Sequence, residues 1–269
     1  MTSETLVEGR GLVRAFHRHG RSELRAVDEV SLTITRGETF GLVGESGSGK
    51  STLAALLLAL DQPTAGEVLF NGRNLAALGN RRLRRERRQM QMVFQDPVGS
   101  LNRRKTVEQS VGLPLLVHER ASRKERRARV DELLEQVGLD RSLAHRFPRE
   151  LSGGQCQRVS IARAIALRPL FVVLDEAVSS VDVSVQAQIL NLLRELQRQL
   201  KLTYLFVSHD LAVVRYMAST IAVMEKGKIV EQGSRDEVFS RPRHPYTRRL
   251  LASLPAAAHG KTLDGALPG

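Results

Sequence analysis

The 269-residue chain has a single cysteine, Cys156, and no tryptophan. One thiol excludes an internal disulfide, and it excludes any all-cysteine zinc or iron–sulfur centre held by this chain alone. Long apolar runs are also missing. The longest, Leu53–Leu60, has 8 residues, far below the roughly 20 that a helix needs to span a bilayer. The opening MTSETLVEGR has no basic stretch followed by an apolar one, so it does not read as a secretory signal. Aromatic residues are only 4%, which argues against the stacked rings of a single-stranded nucleic-acid platform. No internal repeat or low-complexity linker interrupts the chain. The expectation is a soluble, cytoplasmic protein.

What is present suits one or two ordinary domains. Hydrophobic residues are 42% and charged residues 26%, enough to bury a core and too apolar for general disorder. The 41 Lys and Arg against 29 Asp and Glu leave a formal charge of +12. Such a charge favours nucleic acid, an anionic membrane face or phosphorylated ligands, and by itself does not choose among them. The arginine runs Arg81–Arg88 and Arg120–Arg129 read as solvated helix faces, with anionic lipid headgroups as the alternative.

Hydrophobic periodicity gives the coarse order of elements. Alternation at Val30, Leu32 and Ile34 and the run Thr39–Val43 predict two strands split by Arg36-Gly37. Glu67–Phe70 predicts another, ending in the tight-turn dipeptide Asn71-Gly72. Met90–Phe94, Phe171–Leu174 and Tyr204–Val207 read as short buried strands. Helical spacing covers Val107–His118, Arg123–Val137, Cys156–Leu167 and Val185–Leu200. Ile221–Val223 and Ile229–Val230 suggest a closing hairpin, with helices following near Asp236 and Tyr246. Strands alternating with helices imply a largely parallel sheet covered on both faces. The helix-rich stretch from about Pro97 to Leu167 departs from that alternation and predicts a subdomain of its own.

Three strand ends carry the chemistry. Gly44-Glu45-Ser46-Gly47-Ser48-Gly49-Lys50-Ser51-Thr52 fits the phosphate-loop pattern G-x-x-x-x-G-K-[ST], between a predicted strand and a predicted helix. Its glycines let backbone N–H groups curl around phosphates at a helix N-terminus. Lys50 then reaches phosphate oxygens, and the Ser51 hydroxyl ligates Mg²⁺. Phe171–Leu174 delivers Asp175 and Glu176. Beside a phosphate loop, Asp175 suits holding Mg²⁺ and Glu176 suits polarising an attacking water as general base. Leu205–Val207 delivers Ser208-His209-Asp210, with His209 placed for a γ-phosphate contact. In Leu151-Ser152-Gly153-Gly154-Gln155, Ser152 reads as a helix N-cap. A cap alone does not explain Gly153 and Gly154, which would leave amides uncovered for an anion.

With LSGGQ on the page, the chain resembles the ATP-binding subunits of ABC transporters over nearly its whole length. The resemblance adds Gln95 in MVFQDP, Asp182 in SSVD, His209 in VSHD, and Phe16 as the aromatic stacking on adenine. It implies an α/β fold: an ABC-type nucleotide-binding domain with a RecA-like parallel-sheet core, an antiparallel β subdomain and a helical subdomain. The expected divisions are 1–96 (first core part and phosphate loop), 97–167 (helical subdomain and signature), 168–233 (second core part) and 234–269 (a helical extension). The implied substrate and cofactor are ATP and Mg²⁺. Gln95 is implied both at the metal and at the reaction, beside Glu176 and His209. The signature residues Ser152, Gly153, Gly154 and Gln155 are implied to contact ATP held by a second, identical or homologous subunit. The further partners implied are integral membrane permease subunits and, indirectly, an extracytoplasmic solute-binding protein. The expected place is the cytoplasmic face of the cell membrane.

Within the family, MQMVFQDPVGSLN, DEAVSSVDVSVQAQ and Arg243-His244-Pro245-Tyr246-Thr247 are most similar to subunits that energise oligopeptide, dipeptide and nickel importers. HPYT leans towards peptides, a reading preferred over the alternative that it simply starts a helix with Pro in the first turn. The alternatives are a nickel or other solute importer and, in another class, a nucleic-acid-associated ABC ATPase. The last is disfavoured because tandem cassettes, coiled coils and zinc modules are absent. Ala177, Val181 and Arg103 depart from common family residues, and the C-terminal cysteine cluster of many peptide-importer relatives is absent. Cys156 is expected on a quiet helix surface, or else with its thiol pKa lowered by the helix N-terminus.

Overall fold

The computed structural model of the chain describes residues 4–16, 23–119, 122–179 and 181–253. The elements begin with β1 (Thr5–Phe16), β2 (Leu24–Thr35), β3 (Thr39–Val43), α1 (Lys50–Leu57), β4 (Ala65–Phe70) and β5 (Arg73–Asn74). Next come α2 (Asn80–Arg87), β6 (Met90–Val93), α3 (Val107–His118), α4 (Arg123–Gln136), α5 (Gly153–Ile165) and β7 (Phe171–Asp175). The chain continues through α6 (Val183–Leu200), β8 (Thr203–Ser208), α7 (Leu211–Met217), β9 (Thr220–Glu225), β10 (Lys228–Ser234), α8 (Arg235–Ser240) and α9 (Pro245–Ala252). Two compact units result: Met1–Ala76 with Leu205–Gly269, and Ala77–Tyr204. Among the described residues, no helix is long and apolar enough to cross a membrane.

In the first unit an antiparallel sheet runs β2-β1-β4-β5. Val30, Leu32 and Ile34 face its core, as period-2 alternation predicts, yet Val27, at odd spacing from them, is buried too. Glu29 resolves the conflict. It adopts φ 56° where the pairing with β1 shifts between Leu12↔Val30 and Arg14↔Val27. One extra residue on β2 resets the alternation, which is what a β-bulge does. Similar irregularities in β1 hid that strand from the sequence reading. Phe16 is the last residue of β1, a strand that comes before the two read from the sequence. Asn71 (φ 50°) and Gly72 (φ 74°) make the expected tight turn. β3 is buried on both faces and pairs in parallel with β9, Phe40 opposite Thr220 through Val43 opposite Val223. β9 turns back antiparallel into β10. Gly41 lets α7 sit close on β3, since a Cβ there would lie 2.6 Å from Val214 Cγ1.

In the second unit β6 and β7 pair in parallel, Met90 opposite Phe171 through Val93 opposite Leu174. α3, α4 and α5 pack through Val107, Val111, Leu115, Val130, Leu133, Leu134 and Val159, all essentially inaccessible. Each such side chain contributes about 1.5–3 kcal/mol through burial. α3, α4 and α5 each open on a capping box, Thr106 with Gln109, Ser122 with Glu125 and Ser152 with Gln155. The first arginine run is more than a solvated face. Arg84 Nη2 donates to the Val117 carbonyl (3.3 Å) and Arg88 pairs with Glu119, so both grip the C-terminal end of α3. Arg120, at the start of the second run, lies outside the described residues, as does the 254–269 part of the expected helical extension.

Candidate active site

The phosphate loop joins fully buried β3 to α1, so a rigid strand sets one end and a helix N-terminus the other. Gly44 and Gly49 take φ 156° and φ 108°. A Cβ on Gly44 would fall 2.2 Å from the Met224 carbonyl oxygen, and one on Gly49 would fall 2.1 Å from that of Ala26. Both neighbours are backbone and cannot move aside, so only glycine fits. The loop is pinned from outside as well, with Gly227 N donating to Ser48 O at 2.9 Å. Lys50 is only 5% exposed. Its ammonium donates to Gly44 O (2.7 Å) and Glu45 O (2.8 Å) and lies 3.5 Å from Ser48 Oγ. An ammonium drawn inside a ring of glycine-rich backbone at a helix start is the arrangement a phosphate group fits. Ser51 and Thr52 follow in the first turn of α1.

Two further positions of the first unit were expected at the site. Phe16 is 39% exposed, and the Arg14 guanidinium lies 4.7 Å from its ring centroid. A partly bare aromatic face of this kind can stack on a base. His209 is exposed directly after β8. It is set in a tight turn in which Asp210 N donates to Ser208 Oγ at 3.0 Å. Asp210 then caps α7 by accepting from Ala212 N and Val213 N.

The second unit brings Gln95 and Glu176 together, Gln95 Nε2 donating to Glu176 Oε2 at 2.7 Å. Strand register explains the meeting. Val93 lies opposite Leu174, and each partner stands two residues further along. Glu176 adopts φ 47°, a left-handed conformation uncommon for a residue with a Cβ. Its carbonyl is held by Ser179 N (3.1 Å) and Ser179 Oγ (2.9 Å). Asp175, the last residue of β7, is 8% exposed.

The signature segment opens α5. Ser152 Oγ accepts from Gln155 N (3.2 Å), and Gln155 Oε1 accepts from Ser152 N (2.9 Å), so the expected N-cap is present and Gln155 completes it. A Cβ on Gly153 would meet nothing within 4 Å, whereas one on Gly154 would lie 2.7 Å from Val185 Cγ1 of α6. Gly154 thus has a packing reason that the sequence concealed. Cys156 corrects both expectations for it. It is wholly buried with Sγ 3.5 Å from Pro148 O, and burial pushes its thiol pKa up rather than down. Asp182 stands at the N-cap of α6 without a side-chain cap bond, next to strongly exposed Val183. One loop contact was missed: the Tyr246 hydroxyl accepts from Glu45 N at 3.0 Å, across 201 residues of sequence. No local pattern signals so distant a pair.

Comparison with known proteins accords with this geometry. Residues 27–179 match the family model described as ABC transporter. Residues 230–269 match the model for the oligopeptide/dipeptide transporter C-terminal region. The chain is 54% identical over 263 residues to a putative peptide import ATP-binding protein of Brucella abortus, covering 96% of this chain and 79% of that one. It is 50% identical over 237 residues to the oligopeptide transport ATP-binding protein OppF of Bacillus subtilis, covering 87% and 78%. Among solved structures, the ATP-binding cassette MJ0796, a dimer bound to ADP and Pi, aligns with TM-score 0.78 and 32% identity over 86% of this chain and 99% of that one. The protein cbiO1 of Clostridium perfringens, part of the ABC transporter complex cbiONQ, aligns with TM-score 0.78 and 28% identity over 95% and 98%.

Proposed function

The chain belongs to the ABC transporter family, and we propose that it is the ATP-hydrolysing subunit of an importer of dipeptides or oligopeptides that acts through separate membrane subunits. The observation that carries the solute class is the match of residues 230–269 to the oligopeptide/dipeptide transporter C-terminal region. The peptide-import names of the Brucella and Bacillus relatives support it.

In this reading Lys50 and the loop amides from Gly44 to Thr52 hold the phosphates, and Phe16 stacks on the adenine. Glu176 takes a proton from the attacking water, with Gln95 fixing the carboxylate through its 2.7 Å hydrogen bond. His209 contacts the γ-phosphate. Mg²⁺ fits the donors on offer, because Ser51, Asp175 and the Gln95 side-chain carbonyl all supply the oxygen that a hard cation takes. When bound, the ion would neutralise phosphate charge. Ser152, Gly153, Gly154 and Gln155 serve the nucleotide of a second ATPase subunit, with Asp182 at the same junction. The dimeric MJ0796 cassette supports such pairing.

The membrane subunit docks close after Gln95, at the cytoplasmic face of the membrane. Ser100 and Lys105 line a cavity of about 680 Å³ together with Leu113, Leu116, Arg126 and Arg127. Leu113 and Leu116 are 53% and 51% exposed, so an amphipathic helix bearing an acidic residue would suit this surface. The whole reading is tested by uptake of labelled dipeptide and, separately, of Ni²⁺ in source cells carrying Lys50→Ala. Peptide uptake is expected to fall while nickel uptake persists. Loss of nickel uptake alone would move the assignment to a metal importer.

A further inference from the structure

We propose that Tyr246 is a positioning residue of the phosphate loop, through which the seating of α9 sets the affinity for ATP. The inference rests on the reading of Gly44–Thr52 as the phosphate site. Glu45, the first residue after Gly44, is held on both sides of its backbone: its N–H donates to the Tyr246 hydroxyl (3.0 Å) and its carbonyl accepts from Lys50 Nζ (2.8 Å). Lys50 has three N–H donors, and any that turns to a phosphate oxygen is withdrawn from the loop carbonyls. Tyr246 is the contact that keeps the first bend of the loop in place when that happens.

The tyrosine can do this because α9 is anchored independently of the loop. Glu231 of β10 accepts from Arg243 N (2.8 Å) and His244 N (2.9 Å), fixing the approach to the helix. His244 Nδ1 then caps α9 by accepting from Tyr246 N (3.2 Å). Arg249 lies 3.6 Å from Glu225, the end of the strand whose Met224 carbonyl faces Gly44. Tyr246 itself is 3% exposed. Packing at such a position would be served by phenylalanine, so the hydroxyl adds only its hydrogen bond to the loop.

Tyr246→Phe in the full chain is therefore the test, with MgATP affinity and ATPase kinetics measured below every unfolding transition. Losing one such hydrogen bond predicts an affinity about fivefold weaker and a KM raised alike, with kcat at saturation within about twofold. Unchanged affinity and KM would overturn the proposal. Val238→Ala, a buried change in α8 away from the loop, controls for stability; an equal loss of affinity there would also overturn it. Lys50→Ala in the same titration separates the two readings. If Lys50→Ala still binds ATP, the phosphate site is misassigned; if it does not and Tyr246→Phe binds normally, only the role of Tyr246 fails.

Discussion

Cys156 follows the signature by one residue and points inward, its Sγ 3.5 Å from the Pro148 carbonyl oxygen. The nucleophile in thiol alkylation is the thiolate, and burial raises the pKa of this thiol, so its ionised fraction near neutral pH is below that of an ordinary cysteine. ATPase activity at pH 7.5 is accordingly expected to survive maleimide treatment that consumes a small free thiol, with labelling developing only as the chain unfolds or the pH is raised. Rapid labelling of the folded protein with loss of activity would refute this. The sequence identified the residue but not its environment, because whether the start of a helix faces water depends on what packs over it, here the carbonyl of Pro148. The meeting of Gln95 with Glu176 is the opposite case. Both stand just past runs legible as short strands, and parallel pairing in register brings them together. The Tyr246–Glu45 contact spans 201 residues, so only the fold could reveal it.

Among the elements, those set by simple periodicity were legible. β3 and α3 coincide with their predicted spans because β3 is a short, mainly apolar run buried throughout and α3 places Val107, Val111 and Leu115 at helical spacing. β1 and α7 were not delineated, and α2 was read only as an arginine-rich helix face. Bulges break the alternation of β1, α2 is dominated by arginine with little apolar pattern, and α7 is only 7 residues long. The opening of α5 separates stability from function. Gly153 is helical with open space where a Cβ would go, so Gly153→Ala should leave the urea midpoint unchanged or raise stability by up to about 1 kcal/mol. If that surface serves a second subunit's nucleotide, ATPase at saturating ATP should nonetheless fall at least about tenfold, as for an interaction worth about 1.4 kcal/mol. Wild-type turnover in Gly153→Ala would remove the signature from the site. Gly154→Ala is expected to differ, because a Cβ 2.7 Å from Val185 Cγ1 forces α5 and α6 apart, and stability should drop with activity.

On the scale of the whole molecule, the sequence conveyed composition and motif order and, through resemblance, a second ATPase subunit, but not whether that subunit is identical. The +12 charge left nucleic acid, membrane and phosphate ligands all open; the ordered strand-end motifs, not the charge, singled out a nucleotide. A chain with one phosphate loop and one signature makes a complete site only with a second subunit in the proposed scheme, which gives Glu176→Gln a specific consequence. The glutamine oxygen can still accept the hydrogen bond that Gln95 Nε2 now donates to Glu176 Oε2, so loop geometry and ATP binding should persist while the general base is lost. Turnover should fall by about 10²–10⁴-fold. If, as the proposed scheme requires, ATP binding closes a pair of subunits and hydrolysis reopens it, the variant should accumulate with Mg-ATP as a species of twice the chain mass on sizing, and return to a monomer when nucleotide is removed. A variant that binds ATP normally yet stays monomeric would mean that this chain closes only against a different ATPase subunit; adding that subunit should then restore the larger species, and failure to do so would rule out nucleotide-driven pairing.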